Sequence, residues 1–421
     1  MRHVVTGIER GFHILMLALI MGAFLPLWRD VSGNPVDPYE GDALTRFLLL
    51  LGYAVVLVFL PRKPALLWQG LLRGIPIWLL LFWAFLSLTW STAPEVTLRK
   101  VGAVLLTSLY GLYLAFRFTP ESFFRLLGIT LWLVLSLSLA FVFLVPEWGV
   151  MGYPHEGAWR GIFVHKNVLG RFAALSVLVF LALIMAPGRQ KMMWLTGLFL
   201  SMMILVGARS ATSLVLAAVM VLVTFGLWVA SPYRRLWPVL LLLGVLLGGG
   251  WGMILSMSHE VFLEALGKDT TLTGRIPLWL TLIPFIQERT WTGYGFGGFW
   301  LGWQGPSAYV WSLVGWDPPH AHNGYLDLWL DLGLVGFLLG LWLLLRLVLL
   351  GVHYYLANGF SPRTLFHVGL ATFLIVYNFA ESNFLRANNL YWLLLAWGYF
   401  RTGTANHLDI KSHHAREVTR Q

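Results

Sequence analysis

The stretch Pro318-Pro319-His320-Ala321-His322-Asn323-Gly324-Tyr325-Leu326-Asp327, followed at once by the apolar run from Leu328 to Leu350, decides how this chain is read. A Pro-Pro step holds the backbone extended just before two histidines, and the run that follows is long enough to cross a bilayer core as a helix. Two imidazoles therefore stand at a membrane–water boundary. Imidazole changes charge near neutral pH, and such a group is costly inside hydrocarbon but tolerable at its edge. The position suits proton transfer on something the membrane delivers. His320 and His322 lie two apart, so on an extended segment they share a face, and His322, nearer the run, is the better general base. Its plain alternative is an interfacial imidazole bonded to backbone.

Outward from that stretch the chain stays apolar. Its 421 residues are 58% hydrophobic and 11% charged, with mean hydropathy +0.73, far from the composition of a soluble globular protein. Runs of about 18 or more apolar residues recur, about twelve in all, which predicts an all-α polytopic membrane protein. A β-barrel is excluded, because its strands alternate apolar and polar residues. Trp28, Trp68, Trp90, Trp148 and Trp237 fall near the ends of runs, as an aromatic belt does. With no cysteine, neither a disulfide nor a thiolate site exists. The net charge of +10 reads as cytoplasmic loops collecting Lys and Arg, so no nucleic-acid partner is expected.

The spans expected are Gly11–Trp28 (an uncleaved signal anchor), Ala43–Leu60, Leu71–Trp90, Val101–Phe118, Phe123–Val145, Asn167–Ala186, Met192–Gly207, Ala211–Ala230, Leu236–Met257, Leu326–Leu350, Leu365–Phe384 and Asn389–Phe400. If each crosses, Arg62, Lys63, Arg73, Arg117, Arg125, Arg189, Lys191, Arg234, Arg235, Arg363 and the Lys411/Arg416/Arg420 tail share one side. The positive-inside rule makes that side cytoplasmic, with both termini in it. Most acids, Asp30, Asp37, Glu40, Asp42, Glu95, Glu147, Glu156, Glu260, Glu264, Asp269, Glu288 and Asp317 among them, then face outward, as does the opening motif. The longest connection, residues 258–320, is on that face, and a loop of such length implies a function. Within it Thr273 caps a short interfacial helix that continues from Arg275 through Pro277 and Pro284 towards Gly293. No repeat or linker divides residues 1–421, which read as a single membrane domain.

Basic residues on the outward face run against the positive-inside rule and need a reason. Arg160, in Trp159-Arg160-Gly161-Ile162-Phe163-Val164-His165-Lys166-Asn167, and Arg275 each offer a planar donor fork matched to phosphate oxygens at a helix start. With His322 they would make a pocket of two cations and one base. The bland reading of either arginine is a local ion pair or a headgroup contact. Asp327 and Asp331 stand four apart on one helix face and could orient His322 or Arg275. A metal held by His320 and His322 with Asp317 and His165 is conceivable, but no HExxH or comparable spacing is present, and none is expected. Gly333, Gly336 and Gly340 recur at spacings that let helices approach closely.

His322-Asn323 followed by Gly333-x-x-Gly336 resembles the signature of O-antigen ligases and the related Wzy-type polymerases. Thr273-Gly274-Arg275 with Trp279, then Trp291-Thr292-Gly293-Tyr294-Gly295-Phe296-Gly297, looks like that family's long periplasmic loop. Leu88-Thr89-Trp90-Ser91 with Leu98-Arg99-Lys100 resembles a further recurring stretch, and the wording around His165 and His322 is closest to the exopolysaccharide polymerase branch. The resemblance implies a GT-C-like bundle of about twelve helices in a bacterial inner membrane with its site facing the periplasm. It implies an inverting, metal-independent glycosyltransferase without cofactor, whose donor is a glycan on undecaprenyl pyrophosphate. The acceptor would be a lipid-linked repeat unit in a polymerase or lipid A-core in a ligase, and a separate partner could set chain length. Residue by residue, Arg160 and Arg275 would bind the pyrophosphate, with Lys166 and Arg171 as weaker partners, and His322 would take the acceptor's proton; His320 and Asp327 would complete the substrate site. A transporter using Asp327, Asp331 and Glu381 is the reading from another class, but no repeated halves are present.

Overall fold

The computed structural model describes residues 7–28, 43–60, 64–153, 155–236 and 275–401. The expected span Leu236–Met257 beyond Leu236, the loop from Ser258 to Gly274 with its Thr273 cap, the acids Asp30, Asp37, Glu40, Asp42, Glu260, Glu264 and Asp269, Trp237, Arg62, Lys63 and the basic tail lie outside the described residues. What is described is helical. We label α1 Gly7–Ile20, α2 Ala43–Phe59, α3 Pro64–Arg73, α4 Ile75–Leu86, α5 Pro94–Arg117, α6 Pro120–Leu144, α7 Lys166–Met185, α8 Lys191–Gly207, α9 Ala211–Ala230, α10 Arg275–Glu288, α11 Ser307–Val314, α12 Gly324–Asn358, α13 Pro362–Asn378 and α14 Leu390–Arg401.

The chain supplies start signals where these helices begin. Pro120 follows Thr119, whose hydroxyl accepts from Ser122 N, and Pro362 follows Ser361, which accepts from Thr364 N. Both satisfy an otherwise orphaned donor, and proline loses nothing in the first turn. Among the described residues four helices are long and apolar enough to cross a membrane: Pro120–Leu144, Lys166–Met185, Ala211–Arg235 and Gly324–Asn358. The expected single span Leu71–Trp90 is instead a pair of helices bent by 76° around Gly74. α7 and α14 lie at the centre of the bundle, with Leu390 to Phe400 buried without interruption.

The expected helix Leu326–Leu350 is the part that differs most. α12 is broken at Gly333, whose φ of 66° and ψ of −170° are not helical. In an unbroken helix Leu328 and Gly340 would be about 18 Å apart. Instead the Leu328 side chain lies against Gly340, Leu332 lies against Gly336, and the Trp329 and Phe337 rings stack at 4.9 Å. Residues 324–332 therefore fold back along residues 334–358 as a helical hairpin, and the three glycines are its hinge and its seat. A Cβ at Gly333 would strike the Trp291 carbonyl.

Breaking a helix exposes carbonyls and amides that apolar surroundings cannot satisfy. Neighbouring loops supply the partners. Tyr294 N donates to Leu330 O (2.8 Å), Trp83 Nε1 to Leu332 O (2.9 Å), and Leu334 N to Thr290 O (2.7 Å). The glycine-rich turn 293–298 is itself clasped by the segment 87–97. Thr92 N reaches Tyr294 O, Thr97 Oγ1 reaches Phe296 O (2.9 Å), and Phe296 N reaches Ser87 Oγ (3.0 Å). Trp90 spends its indole N–H on Thr292 O (3.0 Å), so it is a clasp and not only a belt residue. Two motifs far apart in sequence thus form one support for the hairpin.

Candidate active site

The loop 320–323 meets the first turn of the hairpin's short arm, and its shape follows from its hydrogen bonds. Asn323 caps that arm, its Oδ1 accepting from Tyr325 N (3.0 Å) and Leu326 N (3.2 Å). Trp279 of α10 donates to Ala321 O (2.8 Å). Asp327 accepts from Ala321 N (3.0 Å), from Trp300 Nε1 (2.7 Å) and from the Ser382 hydroxyl, with Arg386 3.8 Å away. His322 is left at φ 50°, a left-handed conformation that costs a non-glycine residue about 1 kcal/mol or more. The surroundings hold it there, and such strain gathers at functional positions.

His322 Nδ1 lies 2.9 Å from Glu381 Oε1, and His320 Nε2 lies 3.5 Å from Glu381 Oε2. Arg275, at the start of α10, donates from Nη1 to Ala380 O (2.7 Å) and sets Nη2 3.6 Å from Glu381 Oε1. Glu381 thus faces one ring nitrogen of each histidine and the Arg275 guanidinium, a set of donors that suits a carboxylate. As a carboxylate Glu381 only accepts hydrogen bonds, so His322 Nδ1 carries the proton it donates. In neutral His322 the Nε2 lone pair is then free, and among the described residues no protein group bonds it. His320 is fixed in the other sense: its Nδ1 accepts from His322 N (3.1 Å), which leaves Nε2 as the N–H facing Glu381. One acid wires two imidazoles and a guanidinium, and it aims a proton acceptor away from itself.

The expected residues do not all meet here. The structure brings together His322, His320 and Arg275, with Asp327 directly behind the loop. Asp327 orients neither His322 nor Arg275; that place is taken by Glu381, while Asp327 ties down the backbone between the histidines. Asp331 faces the Gly297 amide and the charge of Lys100. Arg160 donates from Nε to Trp148 O (2.8 Å) and from Nη2 to Glu147 O (3.4 Å), and Lys166 Nζ donates to Arg209 O (3.2 Å). None of these bonds touches the His322 cluster. His165 stands beside the basic patch, its ring edge-on to His155 at 5.3 Å and its Nδ1 accepting from Asn167 N (3.2 Å). Arg171 is buried, donating from Nη1 to Tyr377 OH (3.3 Å) beneath the Phe172 and Tyr391 rings.

Two residues stand out that the sequence reading did not assign to the site. Glu381 there is an intramembrane ion carrier of the transporter reading. Arg209, in the turn between α8 and α9, is exposed, left-handed at φ 47°, and bonded through Nη1 to Glu156 O (3.3 Å). It joins Arg160 and Lys166 in a basic patch. A signal existed for Arg209, since the expected topology puts it on the face where cations are exceptions. None existed for Glu381, which is paired with His322 across 59 residues. A metal reading also changes its ligands: His320, His322 and Glu381 place one ligand atom each within 4.8 Å of one another, whereas Asp317 and His165 are not in that group.

Residues 195–341 match the family model Wzy_C, described as O-Antigen ligase. That segment carries Arg209, Arg275, the histidines and the glycine hinge, and it ends before Glu381. The chain is also similar to the exopolysaccharide production protein ExoQ of Rhizobium meliloti (strain 1021), at 28% identity over 349 residues, covering 78% of this chain and 76% of the relative. The chain is thus similar to an O-antigen ligase family over residues 195–341 and to an exopolysaccharide production protein over most of its length.

Proposed function

We propose that this protein is an inverting glycosyltransferase that moves a glycan from a polyprenyl pyrophosphate, undecaprenyl pyrophosphate in bacteria, to an acceptor hydroxyl. The observation that carries the proposal is the shared carboxylate: Glu381 Oε1 lies 2.9 Å from His322 Nδ1 and 3.6 Å from Arg275 Nη2. A base and a phosphate-matched cation are thereby held a few ångströms apart. In the step, the acceptor's O–H gives its proton to His322 Nε2 as its oxygen bonds the anomeric carbon from the face opposite the donor oxygen. The bond from that carbon to the pyrophosphate oxygen breaks, and the electron pair leaves with the pyrophosphate. Arg275 meets the negative charge that develops, so the step needs no metal. The patch of Arg160, Lys166 and Arg209 gathers the same anion before transfer or holds its distal phosphate, and His320 and Asp327 keep the loop in register. In this reading the bundle is GT-C-like, both termini are cytoplasmic, and the site opens to the periplasm.

The acceptor we favour is the next lipid-linked repeat unit, which makes the protein a polymerase, since the similar ExoQ is named for exopolysaccharide production. The alternative is a ligase acting on lipid A-core. Purified protein incubated with a lipid-linked repeat unit, with and without lipid A-core, separates them. A ladder from the lipid-linked unit alone supports the polymerase. A single transfer that requires lipid A-core supports the ligase, and no transfer in either mixture removes the proposal.

A further inference from the structure

We propose that the groove between the long arm of α12 and α13 holds the polyprenyl chain of the donor, an assignment that rests on the function proposed above. The groove is about 490 Å³ in volume and is lined by Tyr325, Leu341, Trp342, Leu345, Val348 and Ile375, with Leu344 at its floor. That volume falls within the roughly 300–1,000 Å³ of specific ligand pockets. Its lining is almost wholly apolar: the Tyr325 hydroxyl is committed to Ile375 O at 3.0 Å, and the Trp342 indole N–H is the other polar group of the lining side chains. Water-borne sugars and anions gain nothing there.

Its position singles out one occupant. Tyr325 at its upper end belongs to the first turn after Asn323, three residues from His322, and the hairpin fold brings that turn alongside Leu341 to Val348. The Tyr325 ring packs on Phe379 at 4.7 Å and on Phe384 at 5.7 Å, and these two rings flank Glu381 in sequence. The groove and the His322–Glu381–Arg275 cluster therefore share the same wall. A donor whose pyrophosphate sits at Arg275 has its first isoprene units at the Tyr325 and Phe379 end, with the groove running on from there. Trp342 and Leu345 are 39% and 56% exposed, so among the described residues nothing closes the groove to a chain arriving sideways.

Bilayer lipid is as apolar as leucine, so the groove gains little hydrophobic free energy over the membrane itself. What it gives is orientation: a chain held along one line presents its anomeric carbon to His322 at a fixed distance and angle. The expected effect is on turnover and is moderate, about tenfold.

The test compares transfer from two donors with the same glycan, one on a long polyprenyl pyrophosphate and one on a two-isoprene pyrophosphate. The wild type is expected to favour the long donor about tenfold. Leu345→Trp, which fills the groove, is expected to bring that ratio close to one. Leu349→Trp, exposed on the same arm but outside the groove, is expected to leave the ratio alone. A diazirine in the third or fourth isoprene unit is expected to label wild-type peptides containing residues 341–348 or Ile375, a readout that does not depend on the variant folding. A wild-type ratio unchanged in Leu345→Trp, or a label elsewhere, overturns the groove and leaves the glycosyltransferase standing. Labelling at the groove that competes equally with phosphatidylglycerol makes it an ordinary lipid contact and also overturns the assignment. Transfer from neither donor would bring down the proposed function, and the groove with it.

Discussion

Two arginines looked equivalent in sequence, and the structure gives them different company. Arg275 is bonded to Ala380 and set against Glu381, the acid that also holds both histidines. Arg160 is bonded to the carbonyls of Trp148 and Glu147 in its own loop, beside Lys166 and Arg209. Both sites are cationic, but among the described residues only the first sets a carboxylate against its imidazoles and its guanidinium. In the proposed reaction two cations are not enough by themselves: the acid fixes the direction of a proton acceptor at one site, and the other patch attracts and holds the anion.

The sharpest way to break this comparison is His322→Ala, expected to lower transfer by about 10²–10⁴-fold while the amount of inserted protein stays the same. Normal polymer from that variant would leave the histidine without a role. Next come the two lysine replacements. Arg275→Lys is expected to cost about 10²-fold, because a point charge cannot bond Ala380 and also present a fork to phosphate. Arg160→Lys is expected to cost less, within about tenfold and mainly in the donor's KM, since the patch retains Lys166 and Arg209. Equal losses would put both arginines in one site and erase the contrast.

A smaller effect is expected from the hinge. Gly333→Ala places a Cβ at a positive φ against the Trp291 carbonyl, which costs about 1–3 kcal/mol of backbone strain before any clash. Thermal unfolding in detergent should shift down, and the loss of activity should track the loss of folded protein. The smallest concerns His165, beside the basic patch. Burial first, then the charges of His155 and Lys166, lowers its imidazole to about 4. An unfolded histidine takes up its proton near 6.5, so between those values the unfolded state binds more protons and folding weakens as pH falls. His165→Asn keeps an N-cap acceptor for Asn167 N and removes that titration, so unfolding temperature should fall less between pH 6.5 and 5 than in the wild type. An identical slope would show that His165 is charged in the folded protein.

Hydrophobic runs made most helices legible, because a long apolar stretch has few other ways to satisfy its backbone. The hairpin in α12 was not, since a glycine inside an apolar run reads as a close-packing residue in a continuous span. Only Leu328 lying on Gly340 and Leu332 on Gly336 reveal that the chain turns back. The spacing of the two histidines pointed to a shared face, and both do face Glu381. Their partner was hidden for a different reason: an acid among apolar residues, 59 positions away, has no local pattern that ties it to a histidine. The nearer acids, Asp327 and Asp331, drew that role in the sequence, whereas a position on the same short arm lets Asp327 hold only the loop's backbone.

In the proposed reaction Glu381 aims His322 without being essential for holding the donor. Glu381→Gln tests it most directly, with donor affinity and single-turnover transfer measured on the same preparation. The amide keeps the size of the side chain but lets either ring nitrogen of His322 take the proton. Donor affinity is expected to stay within about threefold of wild type, with Arg275 still bonded to Ala380, and the transfer rate to fall by about 10²-fold or more. A rate unchanged from wild type, or a loss confined to donor affinity, would contradict it.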